Sequence, residues 1–360
     1  MRKEIELILI GSISNRTEEE EALFEKLLKQ KLDWAWITGQ LIRHRLNGNF
    51  YSGMTKKQRG YIVDKVRQTF DMLSCCYEAC NRVNLDFVQQ LFEKCNEEDI
   101  PVAGLKGVIF NTTIYPLSSR KSNDIDVLVR EKDLGVFDQI MCKMGFIQSL
   151  DGGRSEASKK DKIIQRMHHH DLVPYFKRIE LPYMDCIKVD VNFQFDTNEN
   201  EITDQILADG IQINKGNGYN VQGLVWQNHL LHLCVHFYRE ASNSLWTSTA
   251  RDVDLYKLVD IQNTFRTYSE EQLIAWADSV QKYCLNKQCY FTLYYLNQFY
   301  PCKTYSEVMN LIEPADLSFI SEVRIIGENR VEERKTNFFD QTFNMNYGTD
   351  FLDFDLSRVF

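Results

Sequence analysis

The chain of 360 residues predicts an α+β fold, a mixed β-sheet with flanking helices at residues 99–200. Helical regions at 1–98 and 201–335 flank it, and an aromatic, acidic tail occupies 336–360. Three observations carry this reading. Apolar residues recur at the helical period on both sides of the centre, β-rich runs alternate within the centre, and the length exceeds one small core.

In the N-terminal region, Thr17 followed by Glu20 in "TEEEEALFEKLLKQ" is a capping-box pattern, with Ala22, Leu23, Leu27 and Leu28 as the apolar stripe. "DWAWITGQLIRHRL" and residues 56–96 continue the period. Pro101 ends it. "IPVAGL" then reads as a short strand, residues 106–115 as a short helix stopped by Pro116, and "NDIDVLVR" as the clearest strand. "EKDLGVFDQIMCKMGF" is an amphipathic helix running into Gly145, and "FIQSLDGGR" a strand entering a turn. "HHHDLVPYF" and "CIKVDVNFQFD" alternate as strands do. From about Glu201 helices return in "GLVWQNHLLHLCVHFYREA", "RDVDLYKLVDIQ" and "SEEQLIAWADSVQKYCL".

A net charge of −9 argues against general DNA binding driven by phosphate contacts, while leaving room for a local basic groove. The sequence shows no signal-peptide pattern and no uncharged span of bilayer length, so no membrane partner is expected. Its ten cysteines are scattered without paired CxxC spacing, which predicts reduced, mostly buried thiols in a cytoplasmic protein.

The chemistry concentrates in "GLKGVIFNTTIYPLSSRKSNDIDVLV". Asp124 and Asp126 stand two apart at the start of a strand and so share one face, where like charges repel unless a cation joins them. Carboxylate oxygens of this kind suit Mg²⁺ together with substrate phosphates. Just upstream, Gly104 and Gly107 bracket Lys106 at a strand-to-helix transition, where glycine permits close backbone approach and a helix start favours an anion. Arg120 adds a second positive charge for phosphate oxygens. A two-metal site needs a third carboxylate, and Asp190 in "IKVDVNF", flanked by apolar residues, is the best placed. Asp185 and Asp196 lie nearer that strand's ends.

This stretch resembles the nucleotidyltransferase superfamily, in particular an uncharacterised bacterial family with an LKG…R…DID signature. "HHHDLVPY", "KVDVNF" and "LLHLCVHFYREA" with "RDVDLYKLVD" extend the likeness to about Leu285, most specifically between Gly104 and Asp190. Asp190 stands where the family usually has Glu, and Asn192 and Phe193 where it has His-Trp. The resemblance implies Mg²⁺-dependent transfer of a nucleoside monophosphate from an NTP, such as ATP, to an acceptor, with pyrophosphate released. Asp124, Asp126 and Asp190 would then be the catalytic metal ligands, with Gly104, Lys106, Gly107 and Arg120 at the phosphates. The acceptor, a small molecule, peptide or RNA, is left open. Two alternatives stand beside this reading: a toxin or defence nucleotidyltransferase acting on RNA or protein, and a nucleotide-binding or interaction module without turnover.

Other residues attract weaker readings. His168, His169 and His170 lack a further ligand at zinc spacing. A phosphate or acceptor contact from His170 or His168 competes with a plain hydrogen-bonded strand histidine. His232 and His236 have metalloprotease spacing without the glutamate, so His236 and Asp252 are expected to join helices or to line the acceptor side. Arg154, Lys159, Lys160, Lys162 and Arg166 fall in one basic loop, read first as a solvated face. Trp34, Trp36, Trp226 and Trp246 are expected in helix-packed core.

Overall fold

A computed structural model describes residues 2–196, 200–328, 330–334 and 336–344; of the 336–360 tail, residues 345–360 lie outside the described residues. The chain divides into two units, one of residues 1–67 and 230–360, the other of residues 68–229.

The chain begins with α1 (Lys3–Gly11), α2 (Glu18–Leu28), α3 (Trp34–Arg43), α4 (Asn47–Ser52), α5 (Lys56–Arg59) and the long α6 (Asp64–Glu97). There follow β1 (Val102–Gly104), α7 (Gly107–Thr113), β2 (Ile125–Val129), α8 (Leu134–Lys143), β3 (Ile147–Gln148) and α9 (Lys159–His168). Next come β4 (Tyr175–Leu181), β5 (Met184–Asn192), α10 (Asn200–Ala208), β6 (Ile211–Gly216) and β7 (Tyr219–Leu224). The remainder is helical, with α11 (Trp226–Ala241), α12 (Ser244–Ser248), α13 (Leu255–Phe265), α14 (Glu270–Lys282), α15 (Asn286–Phe299) and α16 (Lys303–Ile312). A small hairpin of β8 (Glu322–Ile325) and β9 (Arg330–Glu333) precedes α17 (Phe338–Thr342).

In the second unit, seven strands form one mixed sheet in the order β3-β4-β5-β2-β1-β7-β6. Its centre pairs β2 with β5 in parallel and β1 with β2 antiparallel. Alternation then assigns the faces. Ile125, Val127 and Val129 of β2 and Ile187, Val189 and Val191 of β5 pack into one apolar core with Leu85, Val88 and Leu91 of α6 and Phe137, Ile140 and Met141 of α8. The intervening residues, Asp126 on β2 and Lys188, Asp190 and Asn192 on β5, therefore point to the opposite face.

The first unit combines both ends of the chain. Asn263 of α13 donates to the Ser12 carbonyl and accepts from the Ser14 N–H. The Thr17–Glu20 capping box forms as expected at the start of α2. Asp252 pairs with Arg334 at 2.7 Å, both buried, and His236 lies 3.6 Å from Glu240 on its own helix.

Several expectations are corrected. The histidine run is no strand: His168 closes α9, His169 caps it, and strand pairing in β4 begins only at Tyr175. Lys159, Lys160, Lys162 and Arg166 lie on this helix, which Ser158 caps, and not in a loop. Residues 211–224, read as helical, form the β6–β7 hairpin. Gly60 separates α5 from α6 where one continuous helix is expected. Trp34, Trp36, Trp226 and Trp246 are half-buried, and the fully buried tryptophan is Trp276. Four of the ten cysteines, Cys80, Cys95, Cys234 and Cys289, are buried.

Candidate active site

The sheet brings the three aspartates together. The parallel register of β2 and β5 sets Asp126 directly beside Asp190. Asp124, two residues earlier, shares a lysine with Asp190: Lys188 Nζ lies 2.6 Å from Asp190 Oδ2 and 3.6 Å from Asp124 Oδ2. On the other side, Lys106 Nζ donates to Asp126 Oδ1 at 2.9 Å. Three carboxylates and two ammonium groups thus form one charged cluster, every member half-buried or buried.

Electrostatics follow from that packing. Burial pushes Asp126 above the usual carboxylate range, opposed by Lys106 and reinforced by Asp124. Asp190 is pushed up to about 7, chiefly by burial and then by Asp126, with Lys188 opposing. Burial alone would lower Lys188, yet Asp190 and Asp124 more than offset it and hold the ammonium charged. The cluster demands cations or protons.

Lys106 sits at φ 42°, ψ −111°, a conformation that L side chains rarely adopt, as the residue before α7. Such strain, worth ~1–3 kcal/mol, persists where neighbours over-determine it. Here the Leu105 N–H donates to the Asp126 carbonyl and the Phe110 N–H to that of Lys106. The two flanking glycines have reasons inside the protein. A Cβ on Gly104 would meet Val108 Cγ1 at 2.7 Å, and one on Gly107 would meet Ser122 Oγ at 2.2 Å and Arg120 Nη1 at 3.1 Å.

Arg120 is thereby drawn against the start of α7, where it donates to Ser122 Oγ at 3.1 Å and stacks 5.0 Å from the Phe110 ring centre. The loop that carries it is tied from below. Asn81 of α6 donates to the Leu117 and Arg120 carbonyls, both at 2.7 Å, and accepts from Asn111 at 2.9 Å. His170 meets the neighbourhood of the site through its backbone. Its carbonyl accepts from the Phe193 and Gln194 N–H groups and so fixes the end of β5.

Among the described residues, no group of three or more His, Cys, Asp and Glu side chains is placed to hold a metal ion as it stands. The expected two-metal set is thus not preformed; lysines supply the positive charge. The donors nevertheless suit a hard divalent cation, because all are carboxylate oxygens and Asp190 Oδ1 is buried without a hydrogen-bond partner.

Lys188, Asn81, Asn111 and Ser122 join the site from outside the set that the sequence points to. Lys188 is legible in retrospect, since alternation in "IKVDVN" places it on the Asp190 face. Asn81 carries no local signal, because its partners Leu117, Arg120 and Asn111 lie 30 or more residues away.

A family model described as "Uncharacterised nucleotidyltransferase" matches residues 30–301. The chain belongs to this family. Its seven-stranded mixed sheet with flanking helices is a nucleotidyltransferase-type α+β architecture, and the match takes in every residue of the charged cluster. No curated protein and no solved structure matches the chain. Among the described residues, no helix is long and apolar enough to cross a membrane.

Proposed function

We propose that the protein transfers a nucleoside monophosphate from an NTP to an acceptor hydroxyl and releases pyrophosphate, in a Mg²⁺-dependent reaction. The observation that carries this reading is the register of Asp126 beside Asp190, with Asp124 joined to the same cluster. Asp124, Asp126 and Asp190 would hold the magnesium, which when bound neutralises phosphate charge and polarises the phosphoryl group. Lys106 and Arg120 orient the triphosphate. The glycines at 104 and 107 serve indirectly, by letting Val108, Ser122 and Arg120 close in. Asp190 Oδ1, buried and without a partner, takes the acceptor proton as the new O–P bond forms and the bond to pyrophosphate breaks.

One observation favours a second reading, a nucleotide-binding module without turnover: Lys188 occupies the space between two of the carboxylates. Pyrophosphate release separates the two. Assayed with the four NTPs, Mg²⁺ and a panel of hydroxylated metabolites, peptides and RNA, the wild-type chain is expected to release pyrophosphate. Asp126→Asn, melting normally, is expected to release none. Equal release by that variant rejects the assigned site, and nucleotide binding without release across the panel selects the module.

A further inference from the structure

We propose that Lys188 is a built-in counter-ion that keeps the carboxylate cluster closed to a bare divalent cation and gives way when a nucleoside triphosphate arrives. The proposal rests on the nucleotidyl-transfer reading and adds an order of loading to it. Two ammonium groups stand among three carboxylates, Lys188 on Asp124 and Asp190 and Lys106 on Asp126. Such a cluster offers little net negative charge to an incoming dication. The dication would instead meet the Lys188 ammonium at close range, in surroundings that water and salt screen poorly.

A triphosphate changes this balance. Its oxygens are strong acceptors for an ammonium, and the flexible four-carbon stem of lysine can turn from carboxylate to phosphate without moving β5. That turn releases Asp124 Oδ2 and Asp190 Oδ2, next to the partnerless Asp190 Oδ1, for the cation. Metal and nucleotide therefore bind in synergy, and the nucleotide-free protein stays closed to stray dications. Lys188 acts through the carboxylates, as a positioning residue.

The test is a Mn²⁺ titration of the full chain without nucleotide, followed by the electron paramagnetic resonance of free Mn²⁺. Lys188→Gln, which removes the charge, is expected to bind Mn²⁺ at least about tenfold more tightly than wild type, the shift expected from removing one close like charge. Lys188→Arg, which keeps the charge, is expected to bind like wild type. A non-hydrolysable NTP analogue should then tighten Mn²⁺ binding more in wild type than in Lys188→Gln. Should Lys188→Gln fail to give a normal melt, Lys188→Met replaces it. Equal Mn²⁺ affinity in wild type and the neutral variant overturns the proposal, as does Lys188→Arg binding as tightly as Lys188→Gln. Tight Mn²⁺ binding by the neutral variant, with no NTP-analogue binding by any form, keeps the counter-ion and rejects nucleotidyl transfer. Absence of Mn²⁺ binding by every form, with and without nucleotide, overturns both.

Discussion

Glycine to alanine is one chemical change, and at two positions of this chain it should act with opposite sign. At Gly107 the added methyl meets Ser122 Oγ at 2.2 Å and Arg120 Nη1 at 3.1 Å, so the loop holding Arg120 must shift. We expect Gly107→Ala to destabilise the fold by ~1–3 kcal/mol, the usual overpacking penalty, and to weaken NTP binding. Gly135, near the start of α8, has a helical backbone, and a Cβ added there would meet nothing within 4 Å. There Gly135→Ala should stabilise by ~0.5–1 kcal/mol, because alanine loses less backbone freedom on folding. Urea midpoints for both variants check the pair, and a stabilised Gly107→Ala would refute the packing account of the loop. At this scale the three aspartates are legible because charge next to apolar strand residues is a local signal, and Lys106 because two glycines bracket it. The sequence also carried Lys188 by alternation, although repulsion between the aspartates drew attention to an external cation and away from a resident one.

The strands that carry the site were legible for a reason that belongs to elements. In β2 and β5 every second residue enters the core, so Ile125, Val127 and Val129, and Ile187, Val189 and Val191, announce their faces. The β6–β7 hairpin escaped although Asn217-Gly218 is a strong turn signal, because β6 buries no face, its Ile213 being exposed, and only β7 sends Tyr219 and Val221 into the core. The histidine run misled in the opposite sense, since "KKDKIIQRMH" forms a helix with no buried residue and no core-facing stripe to read. The hairpin matters to the site through its tip. Asn217, at φ 50°, donates to the Asn111 and Tyr115 carbonyls at 2.8 and 2.7 Å and so closes the end of α7. Asn217→Ala should cost ~1–3 kcal/mol in the denaturant midpoint through two lost hydrogen bonds and a strained backbone, whereas Asn217→Gly should recover the backbone part. Equal losses in both variants would show that the backbone conformation contributes nothing.

For the molecule as a whole, each unit buries a neutral histidine. In the first, His44 Nε2 lies 2.9 Å from the Thr342 carbonyl while its Nδ1 accepts from the Leu255 N–H at 3.2 Å, a pairing that requires the proton on Nε2. Burial, with Arg43 nearby, pushes His44 down to about 3; in the second unit burial pushes His229 down to about 4. A depressed histidine pKa means that the unfolded chain takes up a proton near pH 6.5 while the folded chain does not. Stability from these residues is complete above pH 6.5 and is lost as pH falls towards 4. Asp254, raised to about 6 by burial, and Asp190, raised to about 7, act in the opposite sense below those values, so the diagnostic quantity is a difference between variants. We expect His44→Asn to lower the slope of stability against pH between pH 6.5 and 4, by an amount approaching about 1.4 kcal/mol per pH unit, in urea melts across that range. Identical slopes would contradict a neutral buried His44. The union of residues 1–67 with 230–360 had no counterpart in local periodicity, because Asn263 reports nothing in sequence of Ser12 and Ser14 some 250 positions away. The site is decided most directly by a crystal structure with Mn²⁺ and a non-hydrolysable NTP analogue, read by manganese anomalous scattering. We expect a peak within coordination distance of Asp124, Asp126 and Asp190, with Lys188 turned to the phosphates; nucleotide and manganese bound elsewhere, with Lys188 still on Asp190, would contradict the assignment.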